Sequence, residues 1–145
     1  MITTRVLFAR QERPEKARLL CSLVEDCFRE RERILVFLQD EQQAMAMDRF
    51  LWTWDKGAFL PHAYNSGAVE CVDEPIVITC KEENPNGASV LIMGIPCSID
   101  FIGRFDLAID LAEVYDETLL QESRQRFKHY RDNGFHPAMY PPPQS

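Results

Sequence analysis

The 145-residue chain contains no Cys-x-x-Cys pair, no Gly-x-Gly-x-x-Gly, no glycine-rich loop closing on Lys-Ser or Lys-Thr, and no apolar run near the roughly 18 residues that cross a bilayer. Each gap removes a class of function. There are six glycines, and none stands in Ala9-Arg-Gln-Glu-Arg-Pro14, which follows the first apolar run. A nucleotide-binding fold places small residues there so that its backbone can approach a phosphate. Nucleotide cofactors held by those routes are therefore not expected. The five cysteines, Cys21, Cys27, Cys71, Cys80 and Cys97, are odd in number and have no histidine at ligand spacing, so no metal site is implied. Reduced core thiols in a cytoplasmic protein account for them. The N-terminus, Met1-Ile-Thr-Thr-Arg5, lacks the layout of a signal peptide, and no membrane contact is expected. Positive charge is scarce too: 16 Lys and Arg against 23 Asp and Glu leave a net charge of −7. Broad binding to nucleic acid needs clustered cations, so any anionic partner must be met locally.

The hydrophobic pattern alternates between two kinds of element. Arg5-Val-Leu-Phe8 reads as a short buried strand, and Pro14 opens a helix to about Arg31 with Ala17, Leu20, Cys21, Val24, Cys27 and Phe28 on one face. Arg33-Ile-Leu-Val-Phe-Leu38 is a continuous apolar strand, the kind buried on both faces of a parallel sheet. Asp40-x-x-Gln43 supplies a capping box for the next helix, whose buried face is Ala44, Met47, Leu51 and Trp54. After 57–68, without a strand of its own, come strands at Pro75–Cys80 and Ser89–Gly94. The eight residues between them are too few for a helical crossover, so these two form a hairpin or flank other strands. A short helical piece at Ser98–Arg104, a fifth strand at Leu107–Leu111 and a basic helix at Glu117–Asp132 follow. The pattern is one α/β domain over residues 1–138 with a largely parallel sheet flanked by helices. A proline-rich tail, 139–145, is expected to be disordered.

Chemistry is hard to find in this pattern. Asp40 and Asp110 stand near strand ends and could hold Mg²⁺ with waters, as in a small phosphoryl-transfer enzyme. The simpler role for Asp40 is capping a helix, and no spacing sets a second acid beside Asp110. Cys71 and Cys97 have no histidine partner, His62 stands in a Pro-His loop, and His129 and His136 flank the basic helix without a spaced acid. No catalytic residue is assigned.

Two surface features remain. At 100° per residue, Leu119, Leu120, Ser123, Phe127 and Tyr130 share one arc of the helix from Glu117. Arg124, Lys128 and Arg131 form the next stripe round, with Phe127 and Leu120 on the border. A row of cations beside an apolar edge suits a ligand that is both anionic and hydrophobic. A direct single-strand nucleic-acid binder would instead use Phe127, Tyr130 and Phe135 as stacking platforms. On the middle helix, Trp52 falls on the side away from Met47, Leu51 and Trp54. Trp52 is therefore expected in solvent, with Phe59 on the same rim. Exposed aromatics of this type are interface anchors.

Three segments in this order, Arg33-Ile-Leu-Val-Phe-Leu-Gln-Asp-Glu-Gln-Gln-Ala44 with Asp48-Arg-Phe-Leu-Trp52, then Phe59-Leu-Pro-His62, then Arg124-x-Arg-Phe-Lys-x-Tyr-Arg-x-x-Gly-Phe135, resemble the chi subunit of the bacterial DNA polymerase III holoenzyme. The likeness covers nearly the whole chain, with 63–99 contributing little. It implies a single Rossmann-like domain that lacks a nucleotide-binding loop. It also implies a non-catalytic clamp-loader accessory protein that pairs with the psi subunit and binds the acidic C-terminal tail of single-stranded DNA-binding protein, meeting DNA only indirectly. Carried over by position, the tail surface is Arg124, Phe127, Lys128 and Arg131, and the psi-facing surface is Trp52 and Phe59. Two positions depart from the family: tyrosine is frequent where Phe127 stands, and lysine where Leu120 stands.

Overall fold

The computed structural model describes residues 4–54, 59–67 and 70–141. Its strands are β1 (Arg5–Gln11), β2 (Ile34–Phe37), β3 (His62–Tyr64), β4 (Ile76–Thr79), β5 (Val90–Met93), β6 (Leu107–Glu113) and β7 (Ala138–Tyr140), and its helices α1 (Ala17–Arg29), α2 (Glu41–Trp52), α3 (Ile99–Ile102) and α4 (Glu117–Asp132). The strands form one sheet in the order β3-β4-β2-β5-β6-β1-β7, and every pairing is parallel. That is the single Rossmann-like α/β domain expected from the alternating pattern.

A sheet covered on both faces requires strands that are apolar at every position. β2 and β5 meet this requirement, and β4 does at every position but Thr79; all four residues of each strand are buried. Alternation then divides the core in two. Ile34, Val36, Ile78 and Ile92 face Leu20, Val24, Met47 and Leu51 of α1 and α2. Leu35, Phe37, Leu91 and Phe8 face Phe101 of α3 and Tyr130 of α4. Cys21 and Cys27 lie in the first layer, where burial pushes both thiols up to about 12, so they remain protonated packing groups at neutral pH.

Three details depart from the sequence pattern, and a fourth decides a choice that it left open. α1 begins at Ala17 and not at Pro14, because the Gln11 side chain donates to the carbonyls of Arg13 (2.7 Å) and Pro14 (3.2 Å) and holds that segment out of the helix. Of the two arrangements open to β4 and β5, a hairpin or a pair flanking another strand, the structure has the second. β2 lies between them, and Arg33 pins the crossing loop by donating from Nε to the Asn86 carbonyl (2.7 Å) and from Nη2 to those of Val72 (2.8 Å) and Glu74 (3.0 Å). β3 falls in the stretch read as lacking a strand. The tail expected to be disordered from 139 onward starts inside β7, where Met139 and Tyr140 pair with Phe8 and Ala9. Tyr140 is anchored further by donating its hydroxyl to Asp26 Oδ2 at 3.0 Å. Residues 142–145 lie outside the described residues.

Candidate binding surfaces

The loop after β1 is where related folds hold phosphates. Here Lys16, at its end, donates its ammonium to the Gly94 carbonyl at 2.7 Å. A Cβ at Gly94 would meet the Leu38 Cδ2 methyl at 2.5 Å and the Phe37 carbonyl at 3.0 Å, so a larger residue there would have to push that methyl aside and crowd the carbonyl. Asp40, exposed at the end of β2, accepts from the Gln43 N–H at 2.9 Å and caps α2.

Asp110 has a different role. It is buried in the middle of β6, 2% exposed, and not at a strand end. Its Oδ2 accepts from Arg126 Nε at 2.9 Å and from the Tyr130 hydroxyl at 2.6 Å, and its Oδ1 from the Leu111 N–H at 2.7 Å. Burial, the largest single influence, would lower the Arg126 pKa, but Asp110, Tyr130 and Glu113 together outweigh it and the net shift is upward. Burial first, and then the Asp110 carboxylate, raises the Tyr130 hydroxyl well above its ordinary value. With Asp40 capping and Asp110 taken up by these donors, the phosphoryl-transfer reading loses its metal pair. Among the described residues no group of three or more His, Cys, Asp or Glu is placed to hold a metal.

Asp110 fixes α4 to the sheet. The helix starts at Asp116, whose carboxylate accepts from the Leu119 N–H at 3.0 Å, and ends before Gly134, which takes φ +92. Between these ends Ser123 Oγ accepts from the Glu113 N–H at 3.2 Å, and Phe127 packs on Phe8 with ring centroids 5.5 Å apart. Arg124, Lys128 and Arg131 are thereby left exposed along the outer side, with Leu120 and Phe127 half-buried beside them. Lys128 Nζ is engaged by Asp132 Oδ2 at 3.1 Å. Arg124 and Arg131 have no ion pair among the described residues. Tyr130 is 2% exposed, so it cannot stack a base and the single-strand stacking reading loses its central ring.

The other surface is built on α2. Trp52 and Phe59 are 55% and 73% exposed, and their rings lie 6.3 Å apart. Beneath Trp52, at 4.2 Å, is the ring of His62. His62 is no loop residue. It opens β3 at 6% exposure, with Nδ1 2.7 Å from the Leu60 carbonyl and Nε2 3.0 Å from that of Asp48 and 3.2 Å from Asp48 Oδ1. It ties α2 to β3 and sets the plane on which Trp52 rests.

Helical periodicity alone gives Arg126 no role. Asp110 within an apolar strand was the signal, because a buried carboxylate requires a cation or several donors. Arg126 and Tyr130, one turn apart on the following helix, supply both.

The fold is that of Rossmann-like α/β domains. T4 UvsW matches with a TM-score of 0.66 at 12% identity, over 95% of this chain and 40% of that one. The C-terminal domain of the DEAD-box protein Dbp5 matches at 0.63 and 10%, over 94% of this chain and 89% of that one. At these identities the likeness is one of fold alone. The chain belongs to the DNA polymerase III chi subunit family, whose model, described as DNA polymerase III chi subunit, HolC, matches residues 3–138. It is 28% identical over 118 residues to the DNA polymerase III subunit chi of Escherichia coli K12, covering 81% of this chain and 79% of that protein. It is 26% identical to that of Pseudomonas aeruginosa over 83% and 82%, and 27% identical to that of Haemophilus influenzae over 81% of each.

Proposed function

We propose that this chi-family protein is a non-catalytic adaptor in the bacterial cytoplasm, joining the clamp loader, through a psi-type subunit, to the acidic C-terminal tail of single-stranded DNA-binding protein. The observation that carries the reading is the pair Arg124 and Arg131. Both are exposed and unpaired among the described residues, seven positions apart on the side of α4 that borders half-buried Phe127. Seven residues of helix separate them by about 10 Å along the axis, which suits two carboxylates of one extended peptide. Charge-assisted hydrogen bonds to such groups contribute about 1.5–3 kcal/mol each when shielded from water, and nearer 0.2–1 kcal/mol when exposed. Tail binding is therefore weak and salt-sensitive, and an apolar side chain beside Phe127 supplies the remainder.

The Trp52–Phe59 rim is the psi-facing surface in this reading. Two adjoining exposed aromatics have the composition of an interface anchor, and burying them against an apolar helix face depends little on salt. Linking two weak contacts through one small protein raises local concentration at the fork without chemistry.

Fluorescence anisotropy with a labelled C-terminal peptide of single-stranded DNA-binding protein tests the tail site. Arg124→Ala with Lys128→Ala must lower affinity, and affinity equal to wild type removes the assignment. For the rim, Trp52→Ala must lose co-purification with a psi subunit; full retention shows the anchor to be elsewhere.

A further inference from the structure

We infer that the crevice outside the carboxyl ends of β2 and β5 binds a small organic monocarboxylate, its apolar body in the cavity between α1 and α2 and its head on Lys16. The site lies apart from both surfaces of the proposed function, so its failure leaves that reading untouched.

Topology carries the first step. β2 and β5 are neighbours in the sheet, yet the chain leaves them in opposite directions: from β2 through α2 to β3 at one edge, and from β5 through α3 to β6 on the way to the other. α2 packs on the face of Ile34 and Val36, and α3 on the face of Leu35 and Phe37. Open α/β sheets bind ligands where neighbouring strands part in this way. The Gly94 N–H donates to the Phe37 carbonyl at 2.8 Å and joins the two strand ends at the base of the crevice.

The shape of the crevice supplies the second step. Between α1 and α2 it opens a cavity of about 290 Å³ walled by Leu20, Leu38, Ala46, Met47 and Phe50. At about 30 Å³ for each water-sized group, that is room for about nine non-hydrogen atoms, too few for a dinucleotide. On α2, Ala46 and Phe50 are turned about 120–160° from Trp52, so the cavity and the aromatic rim lie on different sides of the helix.

Charge then selects the occupant. Lys16 lines the mouth and donates one N–H to the Gly94 carbonyl at 2.7 Å. An ammonium has two more to give, and Lys16 has no other acceptor among the described residues. Arg13 and Arg18 line the adjoining hollow at the start of α1, whose first turn carries no acidic residue. Glu15 lines both spaces and is offset by these cations. A carboxylate on an apolar body answers wall and mouth together. A neutral apolar group leaves Lys16 unanswered, an amine is repelled by it, and a bare anion leaves the wall empty.

The test follows the Leu38 and Met47 methyl signals of the full-length protein by NMR during titration with hexanoate, hexanol, hexylamine and acetate. Hexanoate should shift both methyls and bind about fivefold more tightly than hexanol, the scale of one partly exposed charge pair. Hexylamine and acetate should move neither. Ala46→Phe, at an exposed helix position, fills the cavity from its wall and should weaken hexanoate about tenfold or more with the melting temperature unchanged. Lys16→Met should bring hexanoate to the affinity of hexanol and leave hexanol within about twofold of its wild-type value. If Lys16→Met lowers the melting temperature, titrations of the unaltered protein at rising salt replace it: hexanoate must weaken toward hexanol while hexanol does not weaken. Methyl signals unmoved by every probe, or hexanoate unaffected by Ala46→Phe, overturn the site. Equal affinity of wild type for hexanoate and hexanol overturns the anionic occupant.

Discussion

Arg126 holds Asp110 through two contacts, Nε to Oδ2 at 2.9 Å and Nη2 to Oδ1 at 3.4 Å, although sixteen residues separate them and Asp110 lies in the middle of a buried strand. The same guanidinium donates from Nη2 to the Leu111 carbonyl at 2.9 Å and lies 3.6 Å from Glu113. The ion pair therefore anchors α4 to β6, and the exposed cations of α4 take their positions from it.

Asp110→Ala should destabilise the fold by about 3–5 kcal/mol, since it leaves the Arg126 guanidinium and the Tyr130 hydroxyl without their buried acceptor. Urea unfolding checks this, and the loss should exceed that of Arg124→Ala, which has no ion pair to break, by several kcal/mol. Equal stability of the two variants would mean that water replaces the carboxylate.

Tyr130→Phe should cost about 1–3 kcal/mol at pH 7, the cost of leaving Asp110 short of one buried donor. The pH dependence follows from the upward shift of the tyrosine. A group whose folded pKa is raised contributes stability below its unfolded pKa, about 10, and loses it as pH rises beyond that. The gap between wild type and Tyr130→Phe should thus close by about 1.4 kcal/mol per pH unit above 10, other tyrosines being common to both. A gap that is constant from pH 7 to 11 would show that the hydroxyl titrates alike in both states.

Asp132→Asn should strengthen binding of the acidic tail peptide about two- to threefold, because Asp132 competes for Lys128 at 3.1 Å and adds a repulsive charge beside the site. Anisotropy at low salt is the measurement, and weaker binding would place Asp132 among the groups that the peptide needs.

Trp52→Ala should abolish capture of a psi subunit while changing stability by no more than about 1 kcal/mol, since more than half of the side chain is already in water. His62→Ala should do the reverse in stability, costing about 1–3 kcal/mol through lost contacts to Leu60 and Asp48. Thermal melts beside pull-downs separate the two.

Legibility varied with how local each signal was. The helical stripe that set Tyr130 inward and Arg124 outward needed only a 3.6-residue period. The same projection put Trp52 in solvent, and both residues lie as that period requires. β3 and β7 were missed because three residues are too few to show a period, and prolines beside both read as loop. Helix angles placed Tyr130 in the core but did not name its acceptor, which lies twenty residues earlier on a strand.

By itself, then, the amino-acid sequence determined the alternation of strand and helix, the parallel sheet, the basic face of α4 and the exposed tryptophan of α2. These depend on periodicity within one element and on whether a side chain tolerates water. Only the tertiary structure decided that β2 lies between β4 and β5, that Arg126 answers Asp110, and that Met139 joins the sheet beside Phe8. Those are choices of neighbour between distant segments. They follow from filling both faces of one sheet and satisfying every buried charge together, which no local stretch of sequence encodes.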